Sequence, residues 1–323
     1  MRVFPHIFLI AVVLLAGCGG KGGRSQAGTE EAKIVRSFPE MPKAPSMLSG
    51  DTEKYVYIAN HFWDAFLDKE YPGDTSVVNG VPKDDVESAL GRYVTILENF
   101  CPRVEATKSV GAFFRKINDF QKANPSSDVF GYFQKMVPKY LYDPNSPVRD
   151  EDLYRPYALG LVSSDLVSED LKPAYSREAE MCALNQVGTP AADIRFTTLG
   201  GKRRTLYSID SDLVLLFFSN PGCPACEDVI ERLTLSQSAK SLISSGRLAV
   251  VNLYIDLEID KWRAYASEYP KSWINGFDQD YSIRQDLTYN VRAIPSMYVL
   301  DKDKVVLIKD APVERVLAYL ENI

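Results

Sequence analysis

The run Leu213-Val214-Leu215-Leu216-Phe217-Phe218-Ser219-Asn220-Pro221-Gly222-Cys223-Pro224-Ala225-Cys226 constrains this chain more than any other. Its apolar first part reads as a buried strand, and Asn-Pro-Gly stops that strand in a tight turn. Two cysteines, three apart, then open what reads as a helix. A side chain there meets the orphan N–H groups and the positive end of the helix dipole, which stabilise a thiolate. The thiolate is the attacking species in disulfide exchange. Cys223 is therefore the candidate nucleophile. Cys226, one turn on and facing inward, is the candidate resolving thiol.

The N-terminus indicates where the chain works. Ile7–Ala16 is apolar but too short to span a bilayer as a helix. It follows Arg2 and precedes small residues, as the core of a secretory signal does. Without residues 1–17, 36 basic residues face 43 acidic ones, a net charge of −7. An acidic chain with no Lys/Arg run is unsuited to phosphate backbones, so no nucleic-acid partner is expected. Gly19–Ser49 is rich in Gly, Ser, Lys and Pro and reads as a flexible tether, about 30 Å in span.

The end of the apolar stretch, Leu15-Ala16-Gly17-Cys18, resembles the lipobox of bacterial lipoproteins. The resemblance implies a signal peptide at 1–17, a lipid on Cys18, and a tether from 18 to 49. It further implies a membrane-anchored protein facing the periplasm, where disulfides persist. Five cysteines less Cys18 leave Cys101, Cys182, Cys223 and Cys226. Pairing 223 with 226 leaves Cys101 and Cys182, both on apolar helix faces. They are open to three readings: two buried thiols, a structural disulfide, or a second redox pair.

From 50 to 185 the apolar residues keep helical spacing. Tyr55, Ile58, Ala59, Phe62 and Phe66 form one stripe. Val86, Leu90, Tyr93, Val94, Leu97 and Cys101 form a second, with Asp84 and Asp85 as caps and Pro102 as its stop. Val110, Phe113, Phe114, Ile117 and Phe120 form a third. Further helices are expected at about 127–141, 150–164 and 168–184, which makes an all-α domain. From 186 to 323 short runs of β-formers alternate with helical segments. Strands are expected at Ile194–Thr198, Leu213–Ser219, Leu248–Ile255, Ser296–Leu300 and Val305–Lys309. The helices between them are expected at about 224–244, 259–269, 280–289 and 312–322. Gly200-Gly201 reads as a hairpin turn with the solvated basic flank Lys202-Arg203-Arg204.

A strand, Cys-x-x-Cys opening a helix, and the later Ile294-Pro295 before a hairpin together resemble the thioredoxin fold, a mixed sheet flanked by helices. Residues 187–323 resemble thioredoxin-like and peroxiredoxin-like redox proteins of bacterial envelopes. The whole mature chain resembles lipoproteins of Bacteroidota in which a helical domain of unknown function precedes such a domain. The resemblance implies that Cys223 and Cys226 are redox-active. It also implies that Ile294 and Pro295 form a cis bond whose backbone edge holds the substrate. Three positions depart from it. Gly222 stands where thioredoxins carry a tryptophan, Phe217 at the place of their buried acid, and Val229 where related reductases have a glutamate. Proton transfer is left to Glu227, Asp228, water or the substrate.

One Cys-x-x-Cys supplies only half a zinc site, so neither a metal nor a cofactor is expected. His61 is the only histidine after the signal and reads as part of a helix face, which removes Cys–His and Ser–His–Asp chemistry from the 186–323 half. Tyr254, Trp262, Trp273 and Phe277 lie in or near the insertion between the strand at 248–255 and Pro295, and that insertion is expected to border the active-site groove. The leading expectation is a membrane-tethered thiol–disulfide oxidoreductase, with a disulfide-containing protein as substrate and a separate electron donor. A scaffold lipoprotein with a fixed disulfide is the alternative; a factor maturing haem or copper sites is a third reading.

Overall fold

The computed structural model describes residues 35–323, so the signal peptide expected at 1–17 and the lipidation expected at Cys18 lie outside the described residues. Ile34–Ile323 forms one compact unit.

Its first half carries α1 (Asp51–His61), a ribbon of β1 (Val77–Val78) and β2 (Val81–Pro82), then α2 (Lys83–Phe100), α3 (Arg103–Ala123), α4 (Val129–Leu141), α5 (Glu151–Ser163) and α6 (Lys172–Cys182). The apolar stripes meet in an aromatic cluster centred on Trp63, which is 1% exposed. Trp63 stacks on Phe113 at 4.8 Å and meets Phe133 edge-on at 5.0 Å. Such large side chains dominate a core because each buries so much apolar area.

The half is helical as expected, with one addition and two corrections. Asn79-Gly80 closes a short hairpin, a turn signal that strands of two residues give no periodicity to support. Asn79 is buried there, donating to the carbonyls of Phe66 and Lys69 and accepting from the Tyr71 N–H. Asp84 and Asp85 lie in the first turn of α2, whose N-cap is Pro82, so they favour the dipole without capping it. The segment read as a tether is docked well before residue 49. Arg36 donates to the carbonyls of Phe66 and Asn79, and its guanidinium lies 3.8 Å from the Tyr71 ring centre. Phe38 stacks on Phe66 at 5.5 Å, so an aromatic core left open on one side recruits the chain leading into it.

The second half carries β3 (Arg195–Thr198), β4 (Arg203–Thr205), β5 (Leu213–Phe218), α7 (Pro224–Leu235), α8 (Gln237–Ser244), β6 (Leu248–Tyr254), α9 (Ile259–Tyr265), β7 (Ile274–Phe277), α10 (Ser282–Gln285), β8 (Ser296–Asp301), β9 (Val306–Ile308) and α11 (Val313–Glu321). They build a seven-stranded sheet in the order β4-β3-β7-β6-β5-β8-β9. β5, β6 and β7 run parallel, and β8 lies antiparallel beside β5. This is a mixed sheet, as expected.

Alternation along β5 fills both faces. Leu213, Leu215 and Phe217 pack with Cys226, Val229 and Leu233 of α7 and with Val316 and Leu320 of α11. Val214, Leu216 and Phe218 pack on the other side with Tyr289, Tyr298 and Ile283. The helix expected over 224–244 is two helices, because Ser236 is extended and its hydroxyl caps the second by accepting from the Ala239 N–H. β7 was not expected. Gly276 within it is dictated by close packing, since a Cβ there would stand 2.7 Å from the Phe196 ring and 3.0 Å from the Thr197 carbonyl.

Candidate active site

Strand β5 delivers the motif. Its last ladder bond, Ser219 N–H to the Leu253 carbonyl, is 3.1 Å. The chain then turns through Gly222, whose φ of +67° lies in the left-handed region that L side chains avoid. That conformation accounts for glycine at the place where the resembling proteins carry tryptophan. Cys223 is the N-cap of α7: its Sγ accepts from the Cys226 N–H at 3.2 Å, and its carbonyl accepts from the N–H groups of Cys226 and Glu227. Pro224 at N1 has no N–H to leave unsatisfied.

Cys223 and Cys226 lie at disulfide distance, with Cα atoms 5.2 Å apart. Cys223 is half-buried, whereas Cys226 is 1% exposed among Val229 and Leu233. The accessible sulfur is thus the one at the helix mouth, the asymmetry that an attacking and a resolving thiol need.

Ile294-Pro295 is a cis bond. Antiparallel pairing of β8 sets Ser296 against Phe218, so this loop stands beside the end of β5 from which the cysteines depart. A polar bridge further joins the two loops. Asn220 donates to Asp256 at 2.9 Å, Arg284 donates to the same carboxylate at 2.8 Å, and Arg284 also reaches the Val291 carbonyl at 3.3 Å. Sequence reasoning missed Asp256 and Arg284 because their partners are far off along the chain.

The core under the motif has no acid. Phe217 is fully buried, edge-on to Trp273 at 6.2 Å, and Val229 is buried beside it. A neutral chain lies there instead: Ser219 donates to Asn252, Asn252 to Asn275 at 3.0 Å, and Asn275 to the Pro270 carbonyl at 3.0 Å. Of the acids offered for proton transfer, Glu227 follows Cys226 and accepts from the Tyr265 hydroxyl at 2.8 Å. Burial and then that carboxylate push the Tyr265 phenol up to about 12. Asp228 instead faces Arg232 at 3.8 Å.

The aromatic side chains in and near the insertion between β6 and Pro295 are buried, not open to the groove. Tyr254, Trp262 and Phe277 form a buried cluster with Ala266 and Tyr269, and Trp273 joins the core under α7. Cys101 and Cys182 are free thiols, not a disulfide. Cys101 ends α2, while Cys182 is buried at the end of α6. His61 bonds Asp64 at 2.6 Å on an exposed helix face.

A sheet of this order, with Cys-x-x-Cys capping the helix after a central strand and a cis-proline beside it, defines a thioredoxin-like protein. Residues 210–306 match the family model described as thioredoxin-like, and residues 18–185 match the Domain of unknown function (DUF5106). The chain belongs to the family of proteins carrying the DUF5106 domain, here followed by a thioredoxin-like domain. It is similar to the crystal structure of a thioredoxin-like protein from Bacteroides caccae, with 32% identity, a TM-score of 0.74, and cover of 89% of this chain and 99% of that one. It is also similar to the C-terminal domain of an uncharacterized protein from Bacteroides fragilis, with 39% identity, a TM-score of 0.42, and cover of 42% and 98%. No curated protein matches the chain.

Proposed function

We propose that this protein is a thiol–disulfide oxidoreductase acting on envelope proteins and tethered to a membrane through a lipid on Cys18. The observation that carries the reading is the Cys223 sulfur at the mouth of α7, accepting a backbone N–H, half-exposed, with a buried partner one turn on. In the reduced protein the Cys223 thiolate attacks a client disulfide and expels one client thiolate, which takes up a proton. The Cys226 thiol then loses its proton and attacks Cys223. The second client thiol leaves, and the 223–226 disulfide holds the two electrons' worth of oxidation. An external dithiol donor returns the pair to its reduced form. The client's extended chain lies along the backbone edge at Ile294-Pro295, which stands beside the motif.

The test is turnover of insulin disulfides by the full chain with dithiothreitol as donor. Turnover above the uncatalysed rate that vanishes in Cys223→Ser supports the reading. A folded wild-type protein without turnover, or a 223–226 potential well below about −300 mV, leaves a structural disulfide and a scaffold role instead.

A further inference from the structure

The mechanism leaves one large feature unused: a buried ionic cluster where the helix-rich half meets the loop bearing Pro295. Glu151, in the first turn of α5, is 1% exposed at its side chain. It pairs with Arg292 at 2.8 Å and with Lys309 at 2.9 Å, and it accepts from the Asn290 amide at 2.6 Å. Arg292 also reaches Asp310 at 2.9 Å, and Asp310 accepts from the Ser296 hydroxyl at 2.7 Å. Asp310 holds a left-handed backbone (φ +41°), which is sparsely populated outside glycine and persists where the surroundings fix it. Lys309 further donates to the carbonyls of Cys182 and Leu184 at 2.7 and 2.6 Å.

Both sides of the Ile294-Pro295 bond are therefore held. Asn290 and Arg292 precede it and Ser296 follows it, and all three run to Glu151 either directly or through Arg292 and Asp310. Apolar packing would have joined the two halves at less desolvation cost than these charges. What charges add is direction: a planar guanidinium bridging two carboxylates fixes the loop's place as well as its burial.

We infer that Glu151 of the helix-rich half, acting through Asn290, Arg292 and Asp310, is a positioning residue that sets the Pro295 loop for client binding. The DUF5106 half thereby completes the client-holding edge of the thioredoxin-like half. The inference rests on the redox reading above. It predicts a split between clients that use that edge and small disulfides that need only the Cys223 sulfur.

The experiment compares the full-length wild type with Glu151→Ala and Asn290→Ala, using insulin and oxidised glutathione as oxidants. Asn290→Ala leaves every ion pair in place, so it carries the same prediction if Glu151→Ala does not fold. The expected result is a KM for insulin raised about ten-fold with kcat kept, and glutathione rates within two-fold of wild type. An unchanged insulin KM in folded Asn290→Ala, or insulin and glutathione rates falling together, overturns the inference while leaving the redox reading standing. A wild type without insulin turnover overturns both.

Discussion

The helix-rich half places its two sulfurs at the C-terminal ends of helices, whereas the sheet half sets one of its two, Cys223, at the mouth of a helix. In the helix-rich half, burial pushes the Cys101 thiol up, and burial followed by Glu151 pushes Cys182 up further. In the sheet half, the Cys223 sulfur accepts an N–H at a helix start and stands half-exposed. All four residues pack against apolar neighbours. On the proposed function, the backbone dipoles that the Cys223 sulfur meets and its access set its reactivity, whereas burial in a hydrophobic setting disfavours a thiolate at Cys101 and Cys182.

The sharpest way to break this contrast is to exchange serine for each sulfur. Cys223→Ser should cut insulin turnover more than about a hundred-fold, while Cys182→Ser should leave turnover within about two-fold. Alkylation of the reduced protein followed by peptide mapping should label Cys223 first and Cys182 only on unfolding. Equal labelling of the two would erase the distinction.

A second comparison concerns stability. Trp63→Ala removes the centre of the aromatic cluster and should cost about 3–5 kcal/mol. Because Ile34–Ile323 is one compact unit, calorimetry should find the loss in a single transition. Two separate transitions would mean that the halves fold independently and that the ionic cluster couples them weakly.

Burial pushes the Glu98 carboxyl from its ordinary 4.5 up to about 7, with Arg315 pulling the other way from 3.3 Å. The fold thus favours the neutral form. The cost of ionising Glu98 is absent below about pH 4.5, grows as pH rises, and is complete above about 7. Glu98→Gln should raise stability by about 2 kcal/mol at pH 8 and change it little at pH 4.5. Melting curves at the two pH values check this, and equal shifts would refute it.

Smaller effects close the series. Gly222→Ala meets open space but a left-handed backbone, so it should cost about 1 kcal/mol and slow Cys223 alkylation slightly. His61→Ala removes an exposed pair with Asp64 and should change stability by less than about 0.5 kcal/mol, with turnover unaffected.

What the sequence made legible follows from where the information lies. Strand β5, the cap at Cys223 and the second and third helical stripes are local patterns, and they stand where they were read. The first stripe outruns α1, which ends at His61 before Phe62 and Phe66. β7 was illegible because Ile274-Asn275-Gly276-Phe277 reads as a turn, while its glycine answers to contact with β3. The brace around Pro295 was illegible for a related reason. Asp150-Glu151-Asp152 looks like an ordinary acidic first turn, and only the fold brings Arg292, Lys309 and Asp310 onto it across more than a hundred residues. Gly222 carried a usable signal, since glycine directly before a helix cap often marks a left-handed turn.

The most direct measurement is the pH dependence of Cys223 alkylation by iodoacetamide in the reduced full chain. A midpoint at least one unit below the value of about 8.5 for a free cysteine is what a sulfur seated on open helix N–H groups should give. A midpoint at or above 8.5 would contradict it and leave Cys223 and Cys226 as a structural clasp.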